Sequence, residues 1–183
     1  MIKLTMDSRK ICLLAFFAVA ARAVPEFQSF ESHYGGKIIA VDDAVFDKQG
    51  QYALIKINSL SDKIVSTLNL HDFNTNFTAV RNNEMRRCHI FRTRHTLSEM
   101  MDLYKTAINR KGFYDVTQTF TCTSKAIVPT QDMFRFGKRI AEFCQGDEVM
   151  FSERKFITKR KRSIRAIREA SIACGICIGG CHH

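Results

Sequence analysis

Charge divides this 183-residue chain into a neutral body and a basic end. Residues 24–153 carry sixteen Lys or Arg and sixteen Asp or Glu, so their formal charges cancel. Residues 154–183 carry eight Lys or Arg against Glu169 alone, which gives them a formal charge of +7. We therefore expect a single folded domain in the neutral body, and the basic end needs a separate interpretation.

The first 23 residues have the pattern of a secretory signal peptide. Basic residues precede an apolar run from Ile11 to Ala21, and small residues fit a cleavage between Ala23 and Val24. The run is shorter than the roughly 20 apolar residues that cross a bilayer. The pattern predicts a secreted protein with residues 24–35 as a linker, and an uncleaved signal anchor is the alternative.

In the first half of the body, the order of apolar and polar residues is typical of β-strands. Apolar and polar residues alternate or cluster in five β-rich segments that are separated by turn-forming residues. These segments are Lys37–Val41, Tyr52–Ile57, Ile64–Leu70, Phe77–Arg81 and Cys88–Thr93. The short gaps between them predict antiparallel neighbours.

In the second half of the body, the apolar residues recur at the spacing of an α-helix. Thr96 and Glu99 form a capping box, and the apolar residues that follow are spaced for one helix face up to Gly112. A second helix is predicted over residues 131–144, with an extended segment, Val149–Ile157, after it. Strands followed by helices and a last strand predict an α+β domain.

Six cysteines remain once the signal peptide is removed. An even number in an oxidising compartment indicates disulfides, although spacing alone does not give the pairing. The residues are Cys88, Cys122, Cys144, Cys174, Cys177 and Cys181. The last three, with His182 and His183, also have ligand types that suit zinc. Disulfides are the favoured interpretation in a secreted chain, so we predict no metal.

A tetrabasic run, Lys159 to Arg162, separates the body from a C-terminal peptide. In a secreted chain we interpret residues 158–162 as a proprotein convertase site with cleavage between Arg162 and Ser163. The peptide released would be residues 163–183. The alternative is a solvated basic run or a polyanion-binding patch. Nucleic-acid binding is not expected, because no aromatic residues are interleaved with the run.

Four stretches of the body resemble the BRICHOS domain family. Residues 70–79 resemble its strand–Asp–aromatic–turn segment, and residues 87–91 resemble its first cysteine strand. Residues 122–131 are similar to a loop of the surfactant protein C precursor, and residues 136–144 to the gastrokine branch around the second cysteine. Because the four occur in the family's order, residues 36–157 are identified as a BRICHOS domain.

The resemblance implies a fold and a disulfide. The fold is a central antiparallel sheet of about five strands flanked by two α-helices, and the disulfide joins Cys88 to Cys144. Cys122 then remains with the three tail cysteines. Either it bonds one of them and tethers the tail, or two tail cysteines pair and two thiols are left for intermolecular bonds.

Two further residues are candidate sites. The resemblance makes Asp72 a regulatory carboxyl, partly buried, whose protonation biases the conformation or self-association of the domain. The alternative is an Asp that caps a turn by accepting bonds from backbone amides. Asn76 begins the sequon Asn76-Phe77-Thr78 and is a candidate for glycosylation.

The resemblance also implies a function. BRICHOS domains are regarded as intramolecular chaperones for a C-terminal segment, and the layout resembles arenicin precursors, which release a host-defence peptide. The expected partners are this chain's own C-terminal segment, a convertase and membranes, with a homo-oligomer open. The alternative is a gastrokine-like protein in which the intact domain works and the tail is a disulfide clasp. Neither function involves an enzyme or a cofactor.

Overall fold

The computed structural model describes residues 24–34, 37–60, 65–82, 84–109, 114–115 and 119–157. The predicted signal peptide, its cleavage residue Ala23 and residues 158–183 of the basic C-terminal end lie outside the described residues. That end includes Arg162, Ser163, Cys174, Cys177 and Cys181. Within the described ranges, no helix combines the length and the apolar character needed to cross a membrane.

A single nine-stranded sheet organises the described chain, in the order β7-β1-β2-β3-β4-β5-β6-β9-β8. The first six strands follow one another as antiparallel neighbours, β9 lies parallel to β6, and β8 pairs antiparallel with β9. The strands are β1 (Glu26–Tyr34), β2 (Lys37–Asp47), β3 (Tyr52–Ser59), β4 (Thr67–Asp72), β5 (Phe77–Asn82), β6 (Arg87–Arg92), β7 (Tyr114–Asp115), β8 (Thr119–Ile127) and β9 (Glu148–Ile157).

Three short helical segments complete the described fold: α1 (Leu97–Asn109), a 3₁₀ helix (Thr130–Phe136) and α2 (Lys138–Phe143). The predicted capping box starts α1. The Thr96 backbone amide donates to Glu99 Oε2 at 2.8 Å, and the Glu99 amide donates to Thr96 Oγ1 at 3.3 Å. These bonds satisfy two of the amides that every helix start leaves without an intrahelical partner.

Successive side chains of β3 point to opposite faces of the sheet, and each face has its own hydrophobic core. Ala53, Ile55 and Ile57 point to a first face, where they pack with β1, β2 and the apolar side of α1. The ring of Tyr104 from α1 meets Phe30 edge-on at 4.9 Å between centroids. This is a favoured geometry for aromatic pairs.

The second face carries the other core. Tyr52 and Leu54 of β3 pack there with buried residues of β4, β5, β6 and β9, under the 3₁₀ helix and α2. A disulfide joins Cys88 of β6 to Cys144 at the end of α2, with 5.6 Å between their Cα atoms. It closes a separation of 56 residues. In the chain-entropy account such a closure stabilises the fold by about 4 kcal/mol.

The fold class agrees with the sequence prediction, but three details do not. The sheet has nine strands rather than about five. The segment predicted as a linker, residues 24–35, contains β1, which pairs with β2 along its length. The predicted helix over residues 131–144 is split at Gly137, whose φ of 99° ends the 3₁₀ helix before α2 begins.

Gly137 also permits a close approach. A Cβ atom at this position would lie 2.6 Å from Cγ2 of Thr75, in the turn between β4 and β5. The residue therefore needs both the positive φ and the missing side chain. The junction between the 3₁₀ helix and α2 is consequently seated directly on that turn.

One buried carboxyl on the first face departs from the expected pattern. The sequence predicted a strand over Lys37–Val41 that stops before Asp42, but β2 continues through Asp42 to Asp47. Asp42 is fully buried, and its Oδ2 accepts a bond from Ser32 Oγ at 2.5 Å. Its Oδ1 has no hydrogen-bond partner in the described part of the chain. The pKa of Asp42 is raised from an ordinary value of 3.8 to about 7, mainly by burial; the bond from Ser32 acts against this shift and the charge of Asp43 adds to it.

We expect Asp42 to make the domain more stable in mild acid than at neutral pH. Between pH 3.8 and about 7, folded Asp42 holds a proton that the unfolded chain releases. The free energy of unfolding therefore falls as pH rises through this window. Between pH 5.5 and 7.5 the Asp42 contribution should change by about 2 kcal/mol.

Urea denaturation of the wild type and of Asp42→Asn at these two pH values measures this contribution. The variant should lack the contribution, and Asp102→Asn, an exposed change on α1, should keep it. Equal pH dependence in the wild type and Asp42→Asn would refute the assignment.

Candidate functional site

An open pocket of about 720 Å³ lies on the second face, between the 3₁₀ helix and the strands at one end of the sheet. Its lining is mainly apolar, with charged groups at the rim. The residues that form it include Phe77, Arg92, Ile127, Pro129, Phe136 and Phe151. Its size matches the usual range for sites that bind small molecules or several side chains.

The chain builds the pocket where β8 turns into the 3₁₀ helix. The Val128 amide donates to the Val149 carbonyl at 2.9 Å, so the pairing of β8 with β9 extends past the strand end. Pro129, with φ −60° and ψ 145°, is extended and directs the chain into the 3₁₀ helix. The helix therefore runs back over β5 and β9 and forms one wall of the pocket.

Three phenylalanine rings form the aromatic part of the pocket. Phe136 of the 3₁₀ helix meets Phe77 of β5 edge-on at 5.0 Å between centroids and stacks on Phe151 of β9 at 5.8 Å. All three are partly exposed. The guanidinium of Arg92 lies 5.2 Å from the centre of the Phe77 ring. The pocket thus offers aromatic surface with a cation at its border.

The pocket opens beside a sheet edge. β8 is the last strand in the sheet order, and none of the described strands pairs with its outer side. Ile127, at the end of β8, is 68% exposed, and Phe134 on the adjacent 3₁₀ helix is 70% exposed. Such an edge presents backbone N–H and C=O groups to an incoming extended chain. The pocket and the edge together can hold side chains and main chain of the same segment.

Asp72 lies on the same face, at the end of β4. It is buried, and its Oδ1 accepts bonds from the Asn74 amide at 3.1 Å and from Arg139 Nη1 at 3.3 Å. The first bond is the turn cap that the sequence offered as an alternative. The second is an ion pair with α2 that the sequence did not indicate. Arg139 also lies over the Tyr52 ring at 4.5 Å from its centre.

Two contacts therefore hold α2 on the sheet. Arg139, in the first turn of α2, bonds Asp72, and Cys144, just past its end, bonds Cys88. Because α2 follows the 3₁₀ helix after Gly137 alone, both contacts also fix the pocket wall. Asp72 and the disulfide thus help to fix the position of the pocket wall, although neither lines the pocket.

The other residues predicted as sites fall in separate places. Asn76 is exposed in the turn between β4 and β5. Cys122 belongs to β8, where its backbone is opposite Arg154 of β9. The pocket itself was not predicted, because its rings come from β5, the 3₁₀ helix and β9. The described residues contain no group of three or more His, Cys, Asp or Glu placed to hold a metal ion.

We expect the Arg139→Met substitution to destabilise the domain by about 2 kcal/mol. The change leaves Asp72 buried without its cation, which is costly for a buried pair, although Arg139 is 36% exposed and the loss is reduced accordingly. Chemical denaturation with the disulfide intact measures the effect.

Arg135→Met is the matched control for this experiment. Arg135 pairs with Asp132 at 3.8 Å, but its side chain is 74% exposed, so its removal should cost less than about 0.5 kcal/mol. If the two variants lose the same stability, the pair with Asp72 does not hold α2.

Comparison with known proteins identifies one family. Residues 65–149 match the family model of the BRICHOS domain. The match covers β4 to the beginning of β9, and includes Asp72, both disulfide cysteines, the 3₁₀ helix and α2. No curated protein and no solved structure matches the chain.

Proposed function

We propose that this chain, which carries a BRICHOS domain over residues 65–149, holds its own C-terminal segment as a client. BRICHOS domains usually act as intramolecular chaperones, and BRICHOS proteins are typically found in the secretory pathway. The client proposed here is residues 163–183, and the site proposed for it is the pocket with the adjoining edge of β8. The proposal requires binding groups only and no catalytic group.

The observation that supports the proposal most is the open pocket beside an unpaired strand edge. An extended segment added to β8 would satisfy its backbone amides, while its side chains would enter an apolar cavity. A segment bound in this way is kept from pairing with other copies of itself. This is the physical requirement for a chaperone of a β-prone chain.

The length of the tail is compatible with this site. β9 ends at Ile157, opposite Thr119 of β8, whereas the pocket lies near Phe151. Six strand residues separate these positions, which corresponds to about 20 Å. A chain that returns along the sheet covers this distance with six or seven extended residues. Residues from about Ile164 onward are therefore far enough along the chain to reach the pocket.

The composition of the tail also fits. Five isoleucines supply apolar side chains for a pocket with aromatic walls: Ile164, Ile167, Ile172, Ile176 and Ile178. The basic residues 159–162 precede them and would span the distance from β9 in solvent. Burial of each isoleucine side chain contributes about 1.5–3 kcal/mol when it is complete.

The proposal also covers the processing of residues 163–183 after synthesis. We infer that the chain is secreted, that a convertase cleaves between Arg162 and Ser163, and that the released peptide acts in host defence. The tetrabasic run and the cysteines beyond it support this inference. Residues 163–183 have a formal charge of only +1, from Arg165, Arg168 and Glu169. Retention of the basic run would therefore strengthen binding to anionic membranes.

Site-specific cross-linking in the full-length chain tests the client site. A photoreactive benzophenone amino acid in place of Ile127 should cross-link to residues 163–183, because position 127 borders the pocket. The same amino acid in place of Phe27 is the control, since Phe27 is 64% exposed but lies on β1, far along the sheet. Equal yields from both positions, or none from position 127, would exclude the pocket as the client site.

Mass spectrometry of the secreted protein, with and without reductant, tests the release. A free peptide of residues 163–183 without reductant is the result expected for a precursor. The same peptide seen only after reduction would mean that a disulfide tethers the tail to the domain. An uncleaved chain under both conditions would contradict the release and favour an intact working domain.

A further inference from the structure

The turn between β4 and β5 presents the one Asn-x-Ser/Thr sequon of this chain. Asn76 is exposed and has a φ of 58°, a left-handed conformation that asparagine tolerates better than most residues. Its carbonyl accepts a bond from the Thr93 amide at 2.9 Å, which fixes the turn against the end of β6. The acceptor side chain is therefore on the surface, at a position where the backbone is well defined.

The third residue of the sequon, by contrast, is buried. Thr78 is 1% exposed on the first face of the sheet. Its Oγ1 lies 2.9 Å from Nδ1 of His71 and 2.9 Å from Oγ1 of Thr93. An oligosaccharyl transferase has to recognise this hydroxyl together with the asparagine. In the folded domain the hydroxyl is enclosed between β4 and β6, so the sequon is complete only before these strands pair.

We propose that Asn76 carries an N-linked oligosaccharide that is attached before β4, β5 and β6 pair. In this step Nδ2 of Asn76 forms a bond to the anomeric carbon of a lipid-diphosphate-linked oligosaccharide. The bond between that carbon and the diphosphate breaks, the lipid diphosphate leaves with the electron pair, and one amide proton is lost to a base. No oxidant or reductant takes part.

The folded structure accommodates such a group without rearrangement. Asn76 is exposed, so a sugar on its amide extends into solvent. Thr75, the residue before it, is seated against Gly137, and Phe77, the residue after it, contributes its ring to the pocket. An oligosaccharide at Asn76 therefore stands beside the pocket that we assign to the client. It does not replace any contact of the domain core.

Attachment before strand pairing makes the modified fraction depend on how fast the chain folds, unlike at a sequon that stays exposed in the folded protein. Modification competes with strand pairing, so any change that slows folding should increase the modified fraction. Cys144→Ser removes the disulfide that closes α2 onto β6 and lies away from the sequon. We expect a larger modified fraction in this variant than in the wild type.

Translation of the full-length chain with microsomes tests the proposal. Protection from added protease reports entry into the microsome, and a mobility shift removed by an N-glycan-specific glycosidase reports modification. We expect a protected chain with a single shift that is lost in Asn76→Asp, a variant that suits the same left-handed turn. A protected chain without the shift would overturn the proposal, and so would a chain that does not enter. Only the latter result would also count against the secretory location.

A second measurement tests whether the oligosaccharide is attached before the strands pair. Transferase and lipid-linked donor are added to the folded, unmodified protein and, separately, to a peptide of residues 70–82. The peptide should be modified and the folded protein should not. Modification of both at similar rates would refute the requirement for an unpaired Thr78. A modified fraction in Cys144→Ser no larger than in the wild type would refute it as well.

Discussion

The attachment of α2 to the sheet is the constraint on which the second face depends. α2 has six residues, too few to be stable as an isolated helix. It is held instead by a disulfide to β6 at one end and by an ion pair to buried Asp72 at the other. The 3₁₀ helix that walls the pocket continues directly into α2. The position of the pocket wall thus derives from covalent and ionic contacts made outside the pocket.

Local sequence signals predicted the elements whose buried side is apolar. The alternation in β3 and the capping box of α1 are of this kind, and the structure has both. β1 was missed because two polar residues share its buried positions with Phe30. Its buried positions include the polar residues Gln28 and Ser32, whereas Phe27 is exposed. Pairing with β2 and burial under α1 define this strand, and neither is visible in the alternation of its own residues.

The second helix and the pocket were mispredicted or missed for a different reason. Met133, Phe136 and Ile140 have spacings of three and four residues, which a 3₁₀ turn followed by an α-turn satisfies as well as one continuous helix does. The break is revealed only by the structure, in the φ of 99° at Gly137 and its close approach to Thr75. The partner of Asp72 is likewise set by tertiary packing. The sequence identified the carboxyl, but Arg139 comes from an element far along the chain, and no local pattern connects the two.

The first face of the sheet contains a buried carboxyl that makes the stability of the folded domain depend on pH, and this bears on how a client would be released. Asp42, under α1, has a raised pKa, so its contribution makes the folded state more stable as pH falls from neutral. The disulfide on the second face does not titrate. Mild acidification would therefore stabilise the folded domain and leave the disulfide that closes α2 intact. Under the proposed function, a more stable domain would not release its client. Cleavage between Arg162 and Ser163 is the release step that we propose, because it removes the covalent link between domain and client.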